Sequence, residues 1–294
     1  MAESNVRLRS GDTQADVLPG RGMLVSSFRA GGIEWLRLLE DIEASAATGQ
    51  SIGIPLNHPW ANRLSSTEFQ FEDRPVALDA RSPLIMRDWN NVVIHGVAWS
   101  RLAWTVEAQS AEAVRASLQW DGEDLLAVFP FRHRLDMEIS VQHRAITVAT
   151  TLDAVDGPVP VSFGFHPYVG LPGTPRSDWH LTTPPMRRFL LDERLLPTGR
   201  DEPFTWDAPL GDRHFDDGFA LDAPTSTFKL SDGTHTLHVD LLEGFHFLQV
   251  YAPVDQDIIS IEPMVAPANA LVTGDSLPVA TSGKPVRAVF RIRV

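Results

Sequence analysis

The chain has 294 residues, of which 43% are hydrophobic and 21% are charged, so it is long enough to bury a large core. With 25 Lys and Arg residues against 38 Asp and Glu, its formal net charge is −13, which disfavours nucleic acids and anionic membrane surfaces as partners. The absence of Cys excludes disulfides, thiolate metal sites and cysteine nucleophiles. No apolar run approaches the roughly 18 residues of a membrane span, and the first residues lack a secretory signal, so we expect a cytoplasmic protein.

The first residues of the chain are polar and predict a loose segment over residues 1–15, followed by a single domain over residues 16–294. No linker rich in Pro, Gly or Ser divides the remainder. The main helical candidate runs from Ile33 to Ala47, where apolar residues recur at helical spacing. Gly31 and Gly32 could equally form the turn of a hairpin, which would leave Ile33 to Leu39 as a strand.

Most of the remaining pattern favours strands. The 20 Gly and 22 Pro residues are spread along the chain, as in a protein of many short strands joined by turns. Alternating or β-branched patterns predict strands over residues 113–120, 135–141, 145–152, 236–241 and 286–294. The sequence therefore predicts an all-β protein built from antiparallel strands.

Four short segments carry side chains suited to chemistry. Residues 55–63 end in an amide and a guanidinium, Asn62 and Arg63, beside an aromatic residue. His95 ends a β-branched run and precedes a glycine, and His166 lies between aromatic residues. Glu262 follows a nearly all-apolar strand, where burial should raise the pKa of its carboxyl toward a value useful for a general base.

These residue types suit a sugar site, because aromatic faces match C–H surfaces while amide, guanidinium and carboxylate groups bind hydroxyls. Each also has an ordinary structural explanation: a salt bridge for Arg63, a buried core position for His166 and a turn cap for Glu262. Spacing identifies no partner for His58, and it places His133 at a strand edge among charged residues. We therefore expect structural or surface roles for both.

Six segments, taken in order, resemble the aldose 1-epimerase (galactose mutarotase-like) family. They are residues 19–27 (PGRGMLVSS), 59–63 (PWANR), 94–96 (IHG), 164–168 (GFHPY), 215–219 (FDDGF) and 261–270 (IEPMVAPANA). The resemblance extends over about residues 15–294. It implies a β-supersandwich of large, twisted, mostly antiparallel sheets with the sugar in an open cleft. It also implies that the protein interconverts the α and β anomers of a free aldose without a metal or an organic cofactor.

The same resemblance implies roles for individual residues. Glu262 corresponds to the general base that takes the proton of the C1 hydroxyl, and His166 to the general acid that protonates the ring oxygen. His95 corresponds to a second histidine that hydrogen-bonds near the ring or C1 oxygens. Arg63 and Asn62 correspond to groups that hold sugar hydroxyls.

Other positions leave the substrate open. Asp216 aligns best with the aspartate of the family, and Asp217 is the second choice. Pro167 stands where the family usually has Thr or Ser. Relatives that act on sugar phosphates tend to carry an arginine four residues after the first histidine, where this chain has Trp99, which we keep as a substrate-binding candidate.

The leading hypothesis is a mutarotase for a free, neutral hexose, active as a monomer or a homodimer. The first alternative is a mutarotase for an anionic hexose, such as a 6-phosphate or a sulfonated sugar. It predicts that two or more arginines of one set converge at one end of the cleft: Arg63, Arg87, Arg101, Arg132 and Arg134. The second alternative is a non-catalytic sugar-binding or regulatory protein, in which Glu262 and His166 would lie too far apart to act on one sugar carbon.

Overall fold

A computed structural model describes residues 5–294 of the chain, and most of these residues lie in or between β-strands. The first fourteen strands are β1 (Val6–Ser10), β2 (Thr13–Leu18), β3 (Leu24–Ala30), β4 (Ile33–Glu34), β5 (Leu56–Asn57), β6 (Arg63–Leu64), β7 (Glu68–Phe71), β8 (Arg74–Ala77), β9 (Ile85–Arg87), β10 (Val93–Val97), β11 (Thr105–Gln109), β12 (Ala113–Trp120), β13 (His133–Gln142) and β14 (Ala145–Ala154). The second fourteen are β15 (Val159–Pro160), β16 (Gly164–Phe165), β17 (Tyr168–Val169), β18 (His180–Thr182), β19 (Met186–Leu191), β20 (Pro197–Phe204), β21 (Asp207–Pro209), β22 (Phe215–Leu221), β23 (Ser226–Ser231), β24 (Thr236–Glu243), β25 (Phe247–Ala252), β26 (Ile259–Met264), β27 (Val279–Ala280) and β28 (Val286–Arg293).

Helices are short in this part of the chain. They are α1 (Ile42–Thr48), α2 (Glu123–Val128) and α3 (Ala270–Thr273), with 3₁₀ turns at Pro19–Arg21, Trp99–Arg101 and Arg176–Asp178. Within residues 5–294 none of them has the length and apolar character needed to cross a lipid bilayer.

Two large antiparallel sheets dominate the fold. One has nine strands in the order β11-β12-β13-β14-β28-β24-β23-β18-β21. The other has eight strands in the order β20-β19-β22-β25-β26-β16-β5, with β17 also paired to β26. The two sheets meet through aromatic side chains, since the rings of Phe165 on β16 and Phe290 on β28 lie 5.1 Å apart between centroids. The predicted all-β, antiparallel fold is confirmed.

Smaller sheets complete the molecule. A four-stranded sheet has the order β1-β2-β3-β4, a three-stranded sheet has the order β6-β10-β9, and β7-β8 and β15-β27 form two-stranded sheets. One large cluster of buried apolar side chains includes residues from both large sheets and from the four-stranded sheet. Among these smaller sheets, the three-stranded sheet carries two of the polar segments singled out above, on β6 and β10.

The expectation of a loose N-terminal segment is wrong for residues 6–15. These residues form β1 and the start of β2, and Val6 and Leu8 are buried. The backbone N–H of Arg9 also donates a hydrogen bond to the carbonyl of Ala111 at 2.6 Å. The polar composition hid a period-two pattern in which every second residue faces the core. Residues 1–4 lie outside the described residues.

The segment from Ile33 to Ala47 contains both predicted alternatives in shortened form. Gly31 and Gly32 connect β3 to β4 in a hairpin, with Ala30 opposite Ile33. The helix α1 begins only at Ile42, after Asp41, whose side chain accepts a hydrogen bond from the backbone N–H of Ala44 at 2.9 Å. The capping aspartate, rather than the apolar spacing, fixes where the helix begins.

Candidate active site

A cavity of about 190 Å³ lies where the eight-stranded sheet meets the three-stranded sheet. Its lining combines carboxylate, imidazole, guanidinium, amide and aromatic groups: Asn62, Arg63, Trp89, Ile94, His95, His166, Tyr168, Asp216, Gln249, Tyr251 and Glu262. Six of the eight residues assigned to the site from the sequence are in this lining. We call this space the inner cavity.

Strand register places the polar groups of the eight-stranded sheet on one face. Glu262 on β26 lies opposite Gln249 on β25, and Ser260, two residues earlier, lies opposite Tyr251. Tyr251 in turn faces Asp216 on β22. Because side chains two residues apart on a strand point the same way, all five side chains share one side of the sheet.

His166 lies between β16 and β17 and contacts the carboxylate directly. Its Nε2 lies 3.1 Å from Oε1 of Glu262, and both side chains are almost completely buried. Its Nδ1 lies 3.0 Å from the hydroxyl of Ser260, and the hydroxyl of Tyr168 lies 3.4 Å from Nε2. The Tyr168 ring stacks on the imidazole at 4.5 Å between centroids, which fixes the plane of the ring.

His95 is held by its backbone as well as by its ring. Its φ of 57° is unusual for a residue other than glycine, and Asn62 has a similar φ of 58°. The two residues bond reciprocally: the N–H of His95 donates to the Asn62 carbonyl at 3.0 Å, and the N–H of Asn62 donates to Nδ1 of His95 at 3.2 Å. The next residue, Gly96, has no room for a side chain, because a Cβ there would lie 2.3 Å from the carbonyl oxygen of His58.

Arg63, which also lines the inner cavity, is held in place by ion pairs. Its Nε donates to Asp88 at 2.8 Å in an ion pair whose side chains are both nearly buried, and its Nη2 lies 3.9 Å from Asp216. Asp216 also accepts a hydrogen bond from Nε2 of Gln249 at 2.7 Å. The arrangement presents a guanidinium, a carboxylate and an amide in fixed positions, as is suitable for sugar hydroxyls.

Burial moves the protonation of the central pair in opposite directions. It raises the pKa of Glu262 well above the usual carboxyl range, and the Asp216 carboxylate raises it further, while Arg63 acts to lower it. Burial lowers the pKa of His166 to about 3 and that of His95 well below its usual range. Glu262 and His166 therefore share one proton, and burial favours the form in which both residues are uncharged.

His95, His166 and Glu262 each present a ligand-type atom, and these atoms lie within 4.8 Å of one another. Two histidines and one carboxylate are also a common set of metal ligands. However, Nδ1 of His95 accepts the backbone N–H of Asn62, so the neutral ring carries its proton on Nε2 and has no free lone pair. These donors suit proton transfer and hydrogen bonding better than metal coordination.

The structure places the two candidate aspartates, Asp216 and Asp217, in different spaces. Asp216 lines the inner cavity, whereas Asp217 points into an adjoining cleft and lies near Arg188 and Arg213.

The assignment of Trp99 to substrate binding is wrong. Trp99 is 2% exposed, packs in a separate apolar cluster and donates from Nε1 to the carbonyl of Gln50 at 2.9 Å.

The anionic alternative predicts that two or more of five named arginines converge, and this is not observed at the inner cavity. Of the five named, Arg63 alone lines the inner cavity. Arg87 donates to backbone carbonyls, Arg101 lines a different cavity, and Arg132 and Arg134 pair with Asp156 and Asp136.

Sequence reasoning missed several residues of the site. Gln249 and Tyr251 stand among apolar residues in β25, and a polar side chain in such a strand was a signal that could have identified them. Trp89 is 75% exposed and lies at the rim, with the Arg63 guanidinium 5.3 Å from its ring. Because Trp89 follows Asp88, the partner of Arg63, its position depends on an ion pair that the sequence does not reveal.

The structure shows a structural role for two histidines outside the site and supplies the partner that spacing could not identify. Nε2 of His58 lies 2.8 Å from Nε2 of His133, and both side chains are buried. Nδ1 of His133 lies 2.7 Å from the carbonyl of Phe131, to which it donates. The second ring nitrogen of His133 must therefore accept the proton of His58. The two residues form a structural pair that spacing could not indicate.

A family model described as aldose 1-epimerase matches residues 5–287. The chain belongs to the aldose 1-epimerase family. A family relative is the "Uncharacterized protein YihR" of Escherichia coli (strain K12), 24% identical over 262 residues, or 81% of this chain and 80% of that protein.

Two solved structures illustrate the family fold. A galactose mutarotase-like protein from Clostridium acetobutylicum has a TM-score of 0.80 at 18% identity, over 97% of this chain and 93% of its own. A galactose 1-epimerase from Lactobacillus acidophilus NCFM has a TM-score of 0.77 at 16% identity, over 98% and 93%. The expected galactose mutarotase-like fold is confirmed, and the family supports an epimerase-type activity on a sugar.

Proposed function

We propose that this protein is a mutarotase that interconverts the α and β anomers of a neutral hexose, with Glu262 and His166 carrying the proton transfers. The observation that supports this most strongly is the contact of 3.1 Å between Nε2 of His166 and Oε1 of Glu262 at the buried end of a polar cavity. Ring opening of a hemiacetal needs one group to take the C1 hydroxyl proton and another to protonate the ring oxygen. An adjacent acid and base can serve both oxygens of one anomeric carbon.

The proton that the pair shares suits this reaction. In the uncharged form, Glu262 donates to Nε2 of His166, and Nδ1–H of His166 donates to Ser260. Transfer of this proton from Glu262 to Nε2 of His166 produces a carboxylate and an imidazolium. The carboxylate then takes the proton from the C1 hydroxyl while the imidazolium gives its Nε2 proton to the ring oxygen, the C1–O5 bond breaks, and an aldehyde forms at C1.

Ring opening returns the pair to the form that burial favours, with a protonated carboxyl and a neutral imidazole. The C1–C2 bond rotates, and the C5 hydroxyl attacks the other face of the carbonyl. His166 takes the proton of that hydroxyl, and Glu262 returns a proton to the carbonyl oxygen. The proton count of the pair is the same at the start and the end, so the enzyme is regenerated without a co-reactant.

The remaining cavity residues position the sugar in this proposal. The Nε2–H of His95 donates to the oxygens at the anomeric carbon, while Arg63, Asn62, Asp216 and Gln249 hold hydroxyls. A neutral hexose is favoured over an anionic one, because Arg63 is already neutralised by Asp88 at 2.8 Å. The direct contact of acid and base also argues against a protein that binds sugar without catalysis.

Polarimetry starting from pure α-glucose and α-galactose tests the proposal. We expect the wild-type protein to accelerate mutarotation above the rate in buffer, and Glu262→Gln, which keeps the shape but cannot accept the proton, to reduce kcat by about 10²- to 10⁴-fold. A Glu262→Gln variant as fast as the wild type would contradict the assigned base. Acceleration confined to hexose 6-phosphates or sulfonates would contradict the neutral substrate.

A further inference from the structure

The last part of the segment 261–270 has no role in the proposed chemistry. Glu262 stands at the start of this segment, whereas residues 267–270 (PANA) do not line the inner cavity. Asn269 is buried there and has a φ of 69°, in the left-handed region that residues other than glycine rarely adopt. Such a backbone conformation persists only where the surrounding structure holds it, so the partners of Asn269 indicate its role.

Asn269 bonds to the segment that carries Arg63. Its backbone N–H donates to the carbonyl of Arg63 at 2.9 Å, and its side-chain Oδ1 accepts from the backbone N–H of Ser65 at 2.7 Å. These two groups lie two residues apart and face the same edge of the chain, where a neighbouring strand would normally bond to them. Asn269 thus takes the place of a strand beside β6, whose other edge pairs with β10.

The chain that leads to Asn269 is also tied to the pair of His166 and Glu262. Residues 262–269 are all buried and run from the proposed general base to Asn269. Within them, the backbone N–H of Val265 donates to the carbonyl of Phe163 at 3.1 Å, three residues before His166. This segment therefore connects the proton-transfer pair at one end with β6 at the other.

The strong side-chain contact of Arg63 lies on the side of the three-stranded sheet. Its Nε bonds at 2.8 Å to Asp88, which stands in the loop between β9 and β10. The guanidinium approaches the eight-stranded sheet only at a longer distance, 3.9 Å to Asp216 on β22. Because Asn269 bonds directly to the backbone of Arg63, it is placed to set the distance between this guanidinium and the carboxyl of Glu262.

We propose that Asn269 is a positioning residue, which holds Arg63 at a fixed place relative to Glu262 and thereby sets the affinity of the inner cavity for its sugar. This inference rests on the proposed mutarotase function, in which Arg63 holds hydroxyls of the sugar. A displaced guanidinium loses hydrogen bonds to the sugar, since these bonds weaken steeply with distance and angle. The contact of His166 with Glu262 does not depend on Arg63, so loss of the Asn269 bonds should raise KM more than it lowers kcat.

The test measures KM and kcat for anomer exchange of glucose and galactose. Asn269→Gly keeps the left-handed backbone and the N–H that reaches Arg63, but it removes the oxygen that accepts from Ser65. We expect its KM to rise about five- to tenfold, with kcat within about twofold of the wild type. Asn269→Asp, which keeps an oxygen at this position, should restore KM to within about twofold. Glu72→Gly, at an exposed turn residue with a φ of 52°, is the matched control and should leave KM unchanged.

A double variant shows whether Asn269 acts through Arg63. Arg63→Lys keeps a positive charge beside Asp88 but removes the planar guanidinium. In this background Asn269→Gly should raise KM by no more than about twofold further, because the group that Asn269 positions is already gone. The same rise in both backgrounds would overturn the proposal. Asn269→Ser, whose oxygen lies one bond nearer the backbone than Oδ1, replaces Asn269→Gly should that variant fail to fold.

The outcomes separate the positioning role from the function beneath it. Hexoses accelerated with an unchanged KM in Asn269→Gly, or a KM raised equally in Asn269→Gly and Asn269→Asp, would overturn the positioning role and leave the mutarotase standing. If hexoses bind without being accelerated, the mutarotase fails, and calorimetry decides the positioning role: weaker binding in Asn269→Gly that is restored in Asn269→Asp supports it, and equal binding rejects it. If no hexose binds, both proposals are overturned.

Discussion

Two buried pairs of side chains in this molecule each share a proton, in different surroundings. His166 and Glu262 are 3.1 Å apart and line a cavity, whereas His58 and His133 are 2.8 Å apart and sealed from solvent, with the ring of Trp120 stacked on His133 at 5.4 Å. Burial lowers the pKa of His166 to about 3 and that of His133 to about 4, so burial alone does not distinguish them. What distinguishes them is the carboxylate partner and access to a ligand. A shared proton supports catalysis only where a substrate can reach it.

The pair of His58 and His133 is connected through the backbone to the segment that carries His95, a lining residue of the inner cavity. The N–H of Val97 donates to the carbonyl of His58 at 2.9 Å, and Gly96 packs against the same carbonyl. The structural pair thus supports the segment that carries His95. The comparison can be tested by disturbing this connection, each pair separately, and finally a residue that belongs to neither.

The largest effect is expected for Gly96→Ala. Its φ of +69° and a Cβ position 2.3 Å from the His58 carbonyl combine left-handed strain with a backbone clash, at a cost of about 3 kcal/mol or more. Anomer exchange should fall as well, because His95 is displaced. Gly283→Ala is the matched control, since Gly283 has a φ of +73° and nothing within 4 Å of the added Cβ, so it should cost about 1 kcal/mol. Equal urea-unfolding free energies for the two variants would contradict the close approach.

Glu262→Gln should stabilise the fold while lowering kcat by the factor given above. The folded pKa of Glu262 is raised, so the folded state holds this proton more tightly than the unfolded state does. That contribution is full below the unfolded value near 4.3 and is lost as pH rises through the folded value. Gln removes the cost of ionising a buried carboxyl, and we expect a gain of roughly 1 to 3 kcal/mol on the alkaline side that shrinks toward pH 4. Chemical denaturation at several pH values across this range measures the gain in unfolding free energy. A Glu262→Gln protein that is less stable than the wild type at alkaline pH would contradict this expectation.

The buried pair of His58 and His133 should make the unfolding free energy of the protein depend on pH. The folded pKa of His133 is about 4, below the unfolded value near 6.5, so its contribution is present above pH 6.5 and is lost as pH falls toward 4. His133→Phe should therefore flatten the loss of unfolding free energy over this range, by on the order of 1 kcal/mol per pH unit. His246→Phe, at an exposed histidine, is the control. If the unfolding free energy changed with pH at the same rate in both variants, the lowered pKa of His133 would not be the cause.

The smallest effect is expected for Trp99→Phe. Loss of the hydrogen bond to the Gln50 carbonyl should cost about 1 kcal/mol of stability, and the KM for sugar should not change. Thermal melting and polarimetry measure the two quantities. A raised KM with unchanged stability would return Trp99 to the site.

The long strands of the fold were predictable, and the short ones around the site were not. The predicted segment 113–120 is β12, and residues 145–152 lie within β14, because alternation over eight residues is visible in sequence. By contrast, β16 and β17, which flank His166, have two residues each and show no period. They form strands because β26 lies beside them.

The same division applies to the site. Glu262 and His166 were found through the order of family motifs, and strand register then separated Asp216 from Asp217. His58 and His133, 75 positions apart, were not found, because their contact is created by the packing of a loop against β13. The assignment of Trp99 to substrate binding was wrong because it was made only from the residue's position in a family motif. That position does not indicate where the side chain packs.

The same substitution in each pair gives the most direct test of the proposed active site. Anomer exchange by NMR and thermal unfolding would be measured for His166→Asn and His133→Asn. We expect His166→Asn to lose exchange by about 10²-fold or more while remaining folded, and His133→Asn to lose stability while the folded fraction keeps exchange within about threefold of the wild type. Exchange that survives in His166→Asn, or that is lost equally in both variants at equal folded fraction, would contradict the assignment of catalysis to the pair of His166 and Glu262.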